Sequence, residues 1–584
     1  MKHTGATGLR HLLPYLRQHR ARLGIVFLLV VVASFIDQAQ PYLIRDAIDK
    51  HILTARPDLG VVAWMSLGYL ALVLLSFVLT YYLELLLQRT GQSIVREIRA
   101  DLLRHIQGLS LRYFDTNSSG RIITNVVSDT EALNNFFTDF LSNTLRGCIS
   151  LTLIIFFMLR MDVRFTCYSL LMVPVIGTVS YFIRFFLRKV NQEMRHRLSA
   201  AIAFLAETLS GMAVIQVFDR EKKQQEDFDV CNRALLESTI KETHLNFAYF
   251  LVAETLGDLG VAALIWFGGG AVIRGSVTFG VLFAFITYIR RFFQPINQIT
   301  QQLNVLQSAV IASDRITATL RETPDICEEG AGQPFVASGR IVFEGVHFAY
   351  RPGQPVLHGI DLVIEPGQRV GFVGPSGAGK TSLINLLARF YDVTDGVIRL
   401  DGRDVRSIPL KVLRETIGIV QQDVTLFSGS LIDNIRFFRT EIPEARVVEA
   451  CTLVGADEFI RRLPQGYQTP LSERGSTLSF GERQLLSFAR AMTFNPKILI
   501  LDEATASLDS VSEAILQRAI GRVANGRTLL VIAHRLSTVR QMDFIVVLDH
   551  GRIAERGPHE KLLAQGGIYH RLHRASALPV ALAP

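Results

Sequence analysis

No cysteine pattern organises this sequence. Its 584 residues hold five cysteines, Cys148, Cys167, Cys231, Cys327 and Cys451, with no CxxC pair and no histidine at metal-ligand spacing. That excludes a disulfide framework and a zinc site and leaves free thiols. Charge is sparse as well. Charged residues make up 20% and hydrophobic residues 49%, a balance that turns attention to the membrane. A signal peptide is also lacking. The basic start "RHLLPYLRQHRAR" precedes an apolar run too long for an h-region, and no small-residue cleavage site follows.

What is present is a set of long apolar runs, at roughly 23–44, 61–87, 139–159, 165–187, 247–273 and 279–301. Each approaches the length a bilayer demands. The net charge of +8 is not a nucleic-acid signature, because the basic residues gather between particular runs. Arg10, Arg17, Arg20 and Arg22 precede the first. Arg89, Arg96, Arg99, Arg104 and Arg112 lie between the second and third. Arg188, Lys189, Arg195, Arg197, Arg220, Lys222 and Lys223 lie between the fourth and fifth. Six spans with both termini in the cytoplasm follow from this placement. The two long basic connections keep apolar residues at helical spacing, as in "SIVREIRADLLRHIQGLSLRYF". Spans two to five are therefore expected to continue into the cytoplasm as long helices. These turn near Phe114–Ile122 and Ser210–Glu221, at tips placed to touch a cytoplasmic domain.

After Leu320 the composition changes. Residues 321–338 are polar and rich in Gly and Pro, as expected of a linker. Residues 339–574 alternate short β-branched runs ("RVGFVG", "KILILDEA", "TLLVIAH", "FIVVLD") with helical stretches, the pattern of an α/β P-loop domain with mostly parallel strands. Residues 575–584 are expected to fray. The fold class expected is a six-helix membrane domain (1–320) joined to an α/β P-loop NTPase domain.

"GPSGAGKTS" runs Gly374, Pro375, Ser376, Gly377, Ala378, Gly379, Lys380, Thr381, Ser382. It follows the strand "RVGFV" and opens a helix, the context that makes GxxxxGK[ST] a phosphate loop. The glycines let backbone amides surround an anion. Lys380 is suited to reach β- and γ-phosphates, and Thr381 to bind Mg²⁺. "ILILDEA" places Asp502 and Glu503 at the end of an apolar strand. Beside a phosphate loop, such a pair suits a metal shell (Asp502) and polarisation of an attacking water (Glu503).

The order of these motifs resembles the ATP-binding cassette (ABC) family, and the whole chain except its tail resembles a bacterial ABC exporter half-transporter of the type IV kind. The membrane stretches "PYLIRDAID", "FGGGAVIRGSVTFGVLFAFITYI" and "QPINQI" share the likeness. The resemblance implies roles for further residues. Tyr350 would stack on adenine. Gln422 would meet Mg²⁺ and the attacking water. Glu473 would touch the membrane loops, Asp509 would lie at the dimer seam, and His534 would contact the γ-phosphate.

"STLSFGERQLLSF" resembles the ABC signature, usually written LSGGQ. In that family two cassettes face head to tail, and the signature of one closes over ATP held by the other. Ser479 and Gly481 would thus donate to ATP on a partner chain. Phe480 stands for a glycine, and Glu482 stands for a glutamine, adding charge that is expected to repel ATP. These departures favour a heterodimer with a second half-transporter over a homodimer tolerating a variant motif. The function implied is ATP-driven export, or outward flipping, of an amphipathic or hydrophobic substrate across the cytoplasmic membrane by alternating access. ATP and Mg²⁺ are the expected cofactors, lipid the surroundings, and nucleic acid no partner. An ATP-gated channel or sensor of the same fold, and a peptide exporter, are the alternatives. Asp37, Gln38, Glu84, Glu254 and Asp258 are candidate pathway residues, being costly in lipid. Tyr81, Tyr82, Phe247, Phe285, Tyr288 and Phe292 are read rather as helix or lipid packing.

Overall fold

The computed structural model describes residues 10, 12–54, 57–170, 172–326, 335–471, 475, 477–502, 510–533 and 536–577. It divides into two compact units: Met1–Gln107 with Gly120–Arg321, and Gly108–Ser119 with Glu322–Pro584.

The first unit is helical. Its main elements are α1 (Arg20–Ala47), α2 (Leu59–Gln107), α4 (Leu141–Met161), α5 (Met172–Ser210), α6 (Glu221–Ile273) and α7 (Phe279–Arg321); α3 (Leu111–Thr116) belongs to the second unit. Among the described residues, the helical stretches Arg20–Ile52, Leu59–Gln107, Ser119–Met161 and Glu221–Ile273 are long and apolar enough to cross a membrane. The fourth apolar run lies on Val163–Leu170 and α5, and the sixth on α7. Where one long inner extension was expected before α4, the chain is segmented into Ser119–Val126, Ser128–Asn135 and a π-helical turn, Phe136–Phe140. Thr124, Thr130 and Thr138 each bond back to the carbonyl four residues earlier, a pattern that accompanies bent helices.

α1 contains Pro41. Proline has no N–H, so the carbonyl of Asp37, four residues back, loses its helical donor. α7 supplies a donor to this carbonyl and one to its neighbour. Arg291 Nη1 donates to the Asp37 carbonyl at 2.5 Å and the Tyr288 hydroxyl to the Gln38 carbonyl at 2.6 Å. Arg291 Nη2 also reaches Gln40 Oε1 at 3.4 Å. One turn past α1, Asp49 caps the start of α7, accepting from Gly280 N at 2.7 Å and Thr278 Oγ1 at 2.5 Å. Glycine is required at 280, because a Cβ there would lie 2.6 Å from the Asp49 carboxyl carbon. Phe285, Tyr288 and Phe292 are buried with Ile154 and Met158 in the core of this unit. Tyr81, Tyr82 and Phe247 are exposed.

The second unit holds a four-stranded antiparallel sheet built from β1 (Ile341–Arg351), β2 (Gln354–Ile364), β4 (Asp395–Leu400) and β5 (Arg403–Asp404), in the order β2-β1-β4-β5. A six-stranded sheet uses β3 (Arg369–Val373), β6 (Ile417–Val420), β9 (Ile498–Asp502), β10 (Thr528–Ile532), β11 (Phe544–Asp549) and β12 (Arg552–Gly557), in the order β12-β11-β3-β10-β9-β6. Its strands are parallel except the edge strand β12. β7 (Gly429–Ser430) and β8 (Pro470–Leu471) form a small separate ribbon. Ile498, Leu499, Ile500 and Leu501 are all buried because helices or sheet cover both faces of β9. Four helices matter below: α8 (Lys380–Leu387), α9 (Glu444–Val454), α10 (Phe480–Thr493) and α11 (Ser510–Val523). α9, α10 and α11 share one core with the sheet, and α8 lies in a second core between the two sheets.

Candidate nucleotide site

Register brings the site together. Ile532 pairs with both Phe372 and Asp502, and Val420 pairs with Leu501. Parallel strands end on one edge, so Gly374, Gln422, Asp502 and Ala533 come to the same rim of the sheet. Such a rim is where ligands bind in open α/β sheets.

Between β3 and α8 the chain makes its phosphate loop. Gly374, Gly377 and Gly379 have φ of 151°, 80° and 98°, conformations that L side chains rarely adopt. At Gly374 a Cβ would fall 2.0 Å from the Leu548 carbonyl oxygen, and at Gly379 one would fall 2.6 Å from Leu357 Cδ2. Lys380 is buried, and its Nζ donates to the carbonyls of Gly374 at 2.8 Å and Pro375 at 2.9 Å. The ammonium therefore lies inside the loop. Left-handed glycines followed by a helix start form a concave run of amides suited to phosphate. Thr381 is the second residue of α8. Among the described residues no group of three or more His, Cys, Asp and Glu is arranged to hold a metal. Mg²⁺ fits this donor set nonetheless, since it is usually held by one or two protein oxygens, waters and substrate phosphates.

Tyr350 ends β1. Its hydroxyl donates to the Ser382 hydroxyl at 3.0 Å, and its ring meets Phe348 and Tyr391 edge-on, with centroids 4.7 and 5.1 Å apart. The short helix α3 packs here too. Arg112 Nη2 donates to the Tyr350 carbonyl at 3.3 Å, and the Tyr391 hydroxyl donates to Asp115. Burial, and then the Asp115 carboxylate, push the Tyr391 hydroxyl well above the usual tyrosine range. Sequence reasoning does not single out Tyr391, Arg112 or Asp115 for this role. Only the projecting tip beginning at Phe114 signals that this stretch has a partner.

The stretch at Ser476–Phe488 does begin a helix, α10, at Phe480. Ser479 is its N-cap, and Glu482 completes a capping box. Ser479 Oγ accepts from Glu482 N at 3.3 Å, while the Glu482 carboxylate accepts from Ser479 N at 2.8 Å. The carboxylate expected to repel a polyanion is thus folded back onto its own helix start. Phe480 lies under a guanidinium, with Arg483 Cζ 5.9 Å from its ring centre. Gly481 is buried in the first turn. Gln422 is exposed, and its main-chain carbonyl accepts from Gln484 Nε2 at 2.8 Å. Glu473, Glu503, Asp509 and His534 lie outside the described residues.

In the first unit the candidate pathway residues divide. The Asp37 carboxylate accepts from the Ser76 hydroxyl, and Gln38 is buried. Glu84, Glu254 and Asp258 are exposed, with Arg290 3.5 Å from Asp258. Cys148, Cys167, Cys231 and Cys451 are free thiols; Cys327 lies outside the described residues.

Comparison with known proteins agrees with this geometry. The model of the ABC transporter transmembrane region matches residues 23–296, and that of the ABC transporter domain matches residues 357–506. The "ATP-dependent lipid A-core flippase" of Syntrophus aciditrophicus is 34% identical over 569 residues, covering 97% of this chain and 94% of that protein. The "Probable multidrug resistance ABC transporter ATP-binding/permease protein YheH" of Bacillus subtilis is 37% identical over 524 residues, 89% of this chain and 77% of that one. Among solved structures, a bacterial Atm1-family ABC exporter with ATP bound superposes with a TM-score of 0.79 at 28% identity, over 97% of this chain and 99% of that one. Likeness that runs through both halves, from the apolar helices to the phosphate loop, makes this chain a member of the ABC transporter family, a half-transporter of the bacterial exporter type whose cassette binds and hydrolyses ATP.

Proposed function

We propose that the protein exports, or flips outward, a hydrophobic or amphipathic molecule across the cytoplasmic membrane, by alternating access of a dimer. The observation that carries this reading is α3. It stands three residues after the end of α2, yet it is bonded into the cassette at Tyr350 and Tyr391. A change at the nucleotide rim is therefore passed to the chain entering a membrane helix. Relatives named as multidrug exporters and lipid flippases support the substrate class.

In this reading the membrane domain spans 1–320, the linker 321–338, the cassette 339–574 and the tail 575–584. Lys380 and the backbone N–H groups of residues 374 and 376–382 hold the phosphates, Pro375 having none to give, and Tyr350 meets the adenine. Thr381, Asp502 and Gln422 would hold Mg²⁺, which would supply charge neutralisation for the phosphates. Glu503 polarises the attacking water, and His534 contacts the γ-phosphate. Ser479, Gly481 and Asp509 face the ATP of the partner. That partner is a second half-transporter, and a heterodimer remains favoured. The case for it now rests on Phe480, because Glu482 makes the helix cap that a glutamine would make.

Glu503→Gln tests the assignment. The variant should bind ATP as the parent does and lose turnover at this chain's site. Sustained hydrolysis would refute the role of Glu503. ATP-dependent uptake of a fluorescent hydrophobic dye into inverted vesicles separates a pump from an ATP-gated channel. A pump accumulates dye against its gradient, whereas a channel only equilibrates it.

A further inference from the structure

The helix that begins at Ser479 also grips the loop that carries Gln422. Two side chains of α10 reach it. Gln484 is completely buried. Its Nε2 donates to the Gln422 carbonyl at 2.8 Å, while its Oε1 has no hydrogen-bond partner among the described residues. Arg490 donates from Nη1 to the Thr425 carbonyl at 3.0 Å and from Nε to the Asn434 carbonyl at 2.9 Å. Asn434 then closes the end of the same loop, accepting from Phe427 N and donating to the Phe427 carbonyl, both at 2.8 Å. The loop after β6 is thereby pinned through its main chain at Gln422, Thr425 and Phe427.

The chemistry of these contacts is unusual for a core. Among the described residues no carboxylate lies within ion-pair distance of Arg490, whose partners are main-chain carbonyls and the Phe437 ring 5.6 Å away. Burial pushes its guanidinium below the usual arginine range. Gln484 leaves an acceptor unpaired in the interior, which costs stability. What the two residues give in return is a fixed place for a loop.

We infer that Gln484 is a positioning residue for ATP hydrolysis, acting through the Gln422 carbonyl to set where the Gln422 side chain stands. This rests on the reading given above for Gln422 and Ser479. If Ser479 covers ATP on the partner chain, the helix that senses that ATP also fixes Gln422 at this chain's own site. Occupation of one site then adjusts hydrolysis at the other, and the coupling is reciprocal where it concerns binding.

The test uses the assembled transporter in lipid nanodiscs with Gln484→Met, Gln422→Ala and the double variant. Methionine keeps the length of the side chain and removes the amide donor. For Gln484→Met, kcat should fall roughly tenfold with KM for ATP changed by less than about twofold, the signature of a lost transition-state contribution. The Hill coefficient for ATP should drop toward 1, and the melting midpoint should stay with the parent. The double variant should be no slower than Gln422→Ala alone, because both act on one group. If Gln484→Met keeps the parental kcat and cooperativity while Gln422→Ala is slow, the inference fails and the reading of Gln422 stands. If Gln422→Ala is itself at parental speed, that reading fails and the inference with it. A loss of kcat that parallels a loss of melting midpoint and ATP binding also overturns the inference, leaving Gln484 a packing residue.

Discussion

Replacing Arg291 by methionine should destabilise the membrane unit only while Pro41 is present. Pro41 withholds the N–H that would bond the Asp37 carbonyl, and Arg291 takes that carbonyl at 2.5 Å. Removing the guanidinium leaves a half-buried acceptor without a donor, at no more than about 1–3 kcal/mol. Values inside bilayers run lower, averaging about 0.6 and reaching about 1.7 kcal/mol, so about 1–2 kcal/mol is expected for Arg291→Met. In Pro41→Ala, alanine restores the N–H and the ladder in α1 closes. Arg291→Met should then cost nothing, or even relieve a guanidinium left without its main acceptor. The coupling energy of the cycle is therefore expected at about 1–2 kcal/mol, well above the roughly 0.5 kcal/mol scatter of independent sites. Reversible SDS titration of the four proteins in mixed micelles, followed by circular dichroism, measures it. If the two substitutions add within that scatter, Arg291 does not serve the carbonyl freed by Pro41.

Three further outcomes are expected. Glu482→Gln should leave the cassette's melting midpoint unchanged, since glutamine completes the same capping box, whereas Glu482→Ala should cost about 1 kcal/mol by calorimetry. Gly374→Ala should cost of order 1–3 kcal/mol from backbone strain alone and abolish binding of a fluorescent ATP analogue, because its Cβ meets the Leu548 carbonyl. Asp401 clasps the entry to β1, accepting from the backbone N–H of Ser338, Gly339 and Arg340. Burial opposes its ionisation, but the Ser338 hydroxyl and these amides outweigh it and hold the carboxyl below the usual range. Below the ordinary carboxylate pKa near 4 the unfolded chain binds the proton first. The stability Asp401 contributes is thus present above that pH and lost as pH falls through the lower folded value. Asp401→Asn should flatten this part of an acid-unfolding curve.

The cassette was legible because its signals are local. Glycine spacing between a β-branched run and a helix fixes the phosphate loop, and β9 is four apolar residues closed by Asp502. The apolar runs likewise locate the helices from length alone. What stayed hidden depends on neighbours far away in sequence. The third inner extension is broken into short helices, which an apolar pattern does not register. Arg291 reads only as one of two adjacent arginines, Arg290 and Arg291, in a span until the orphaned carbonyl on α1 is seen beside it. Glu482 reads as a charge misplaced near phosphate, although Ser479 three residues earlier already held the other half of the box. The contacts of Tyr391 with Asp115 join residues 276 positions apart, and no motif marks either one.

The cap at the start of α10 has a consequence for recognition. The first turn is closed by its own side chains, so its backbone is already ordered before any ligand arrives. The oxygen of Ser479 already accepts an amide hydrogen. Toward a visiting phosphate its hydroxyl can therefore act as a proton donor, which favours a fully charged oxygen over a protonated one.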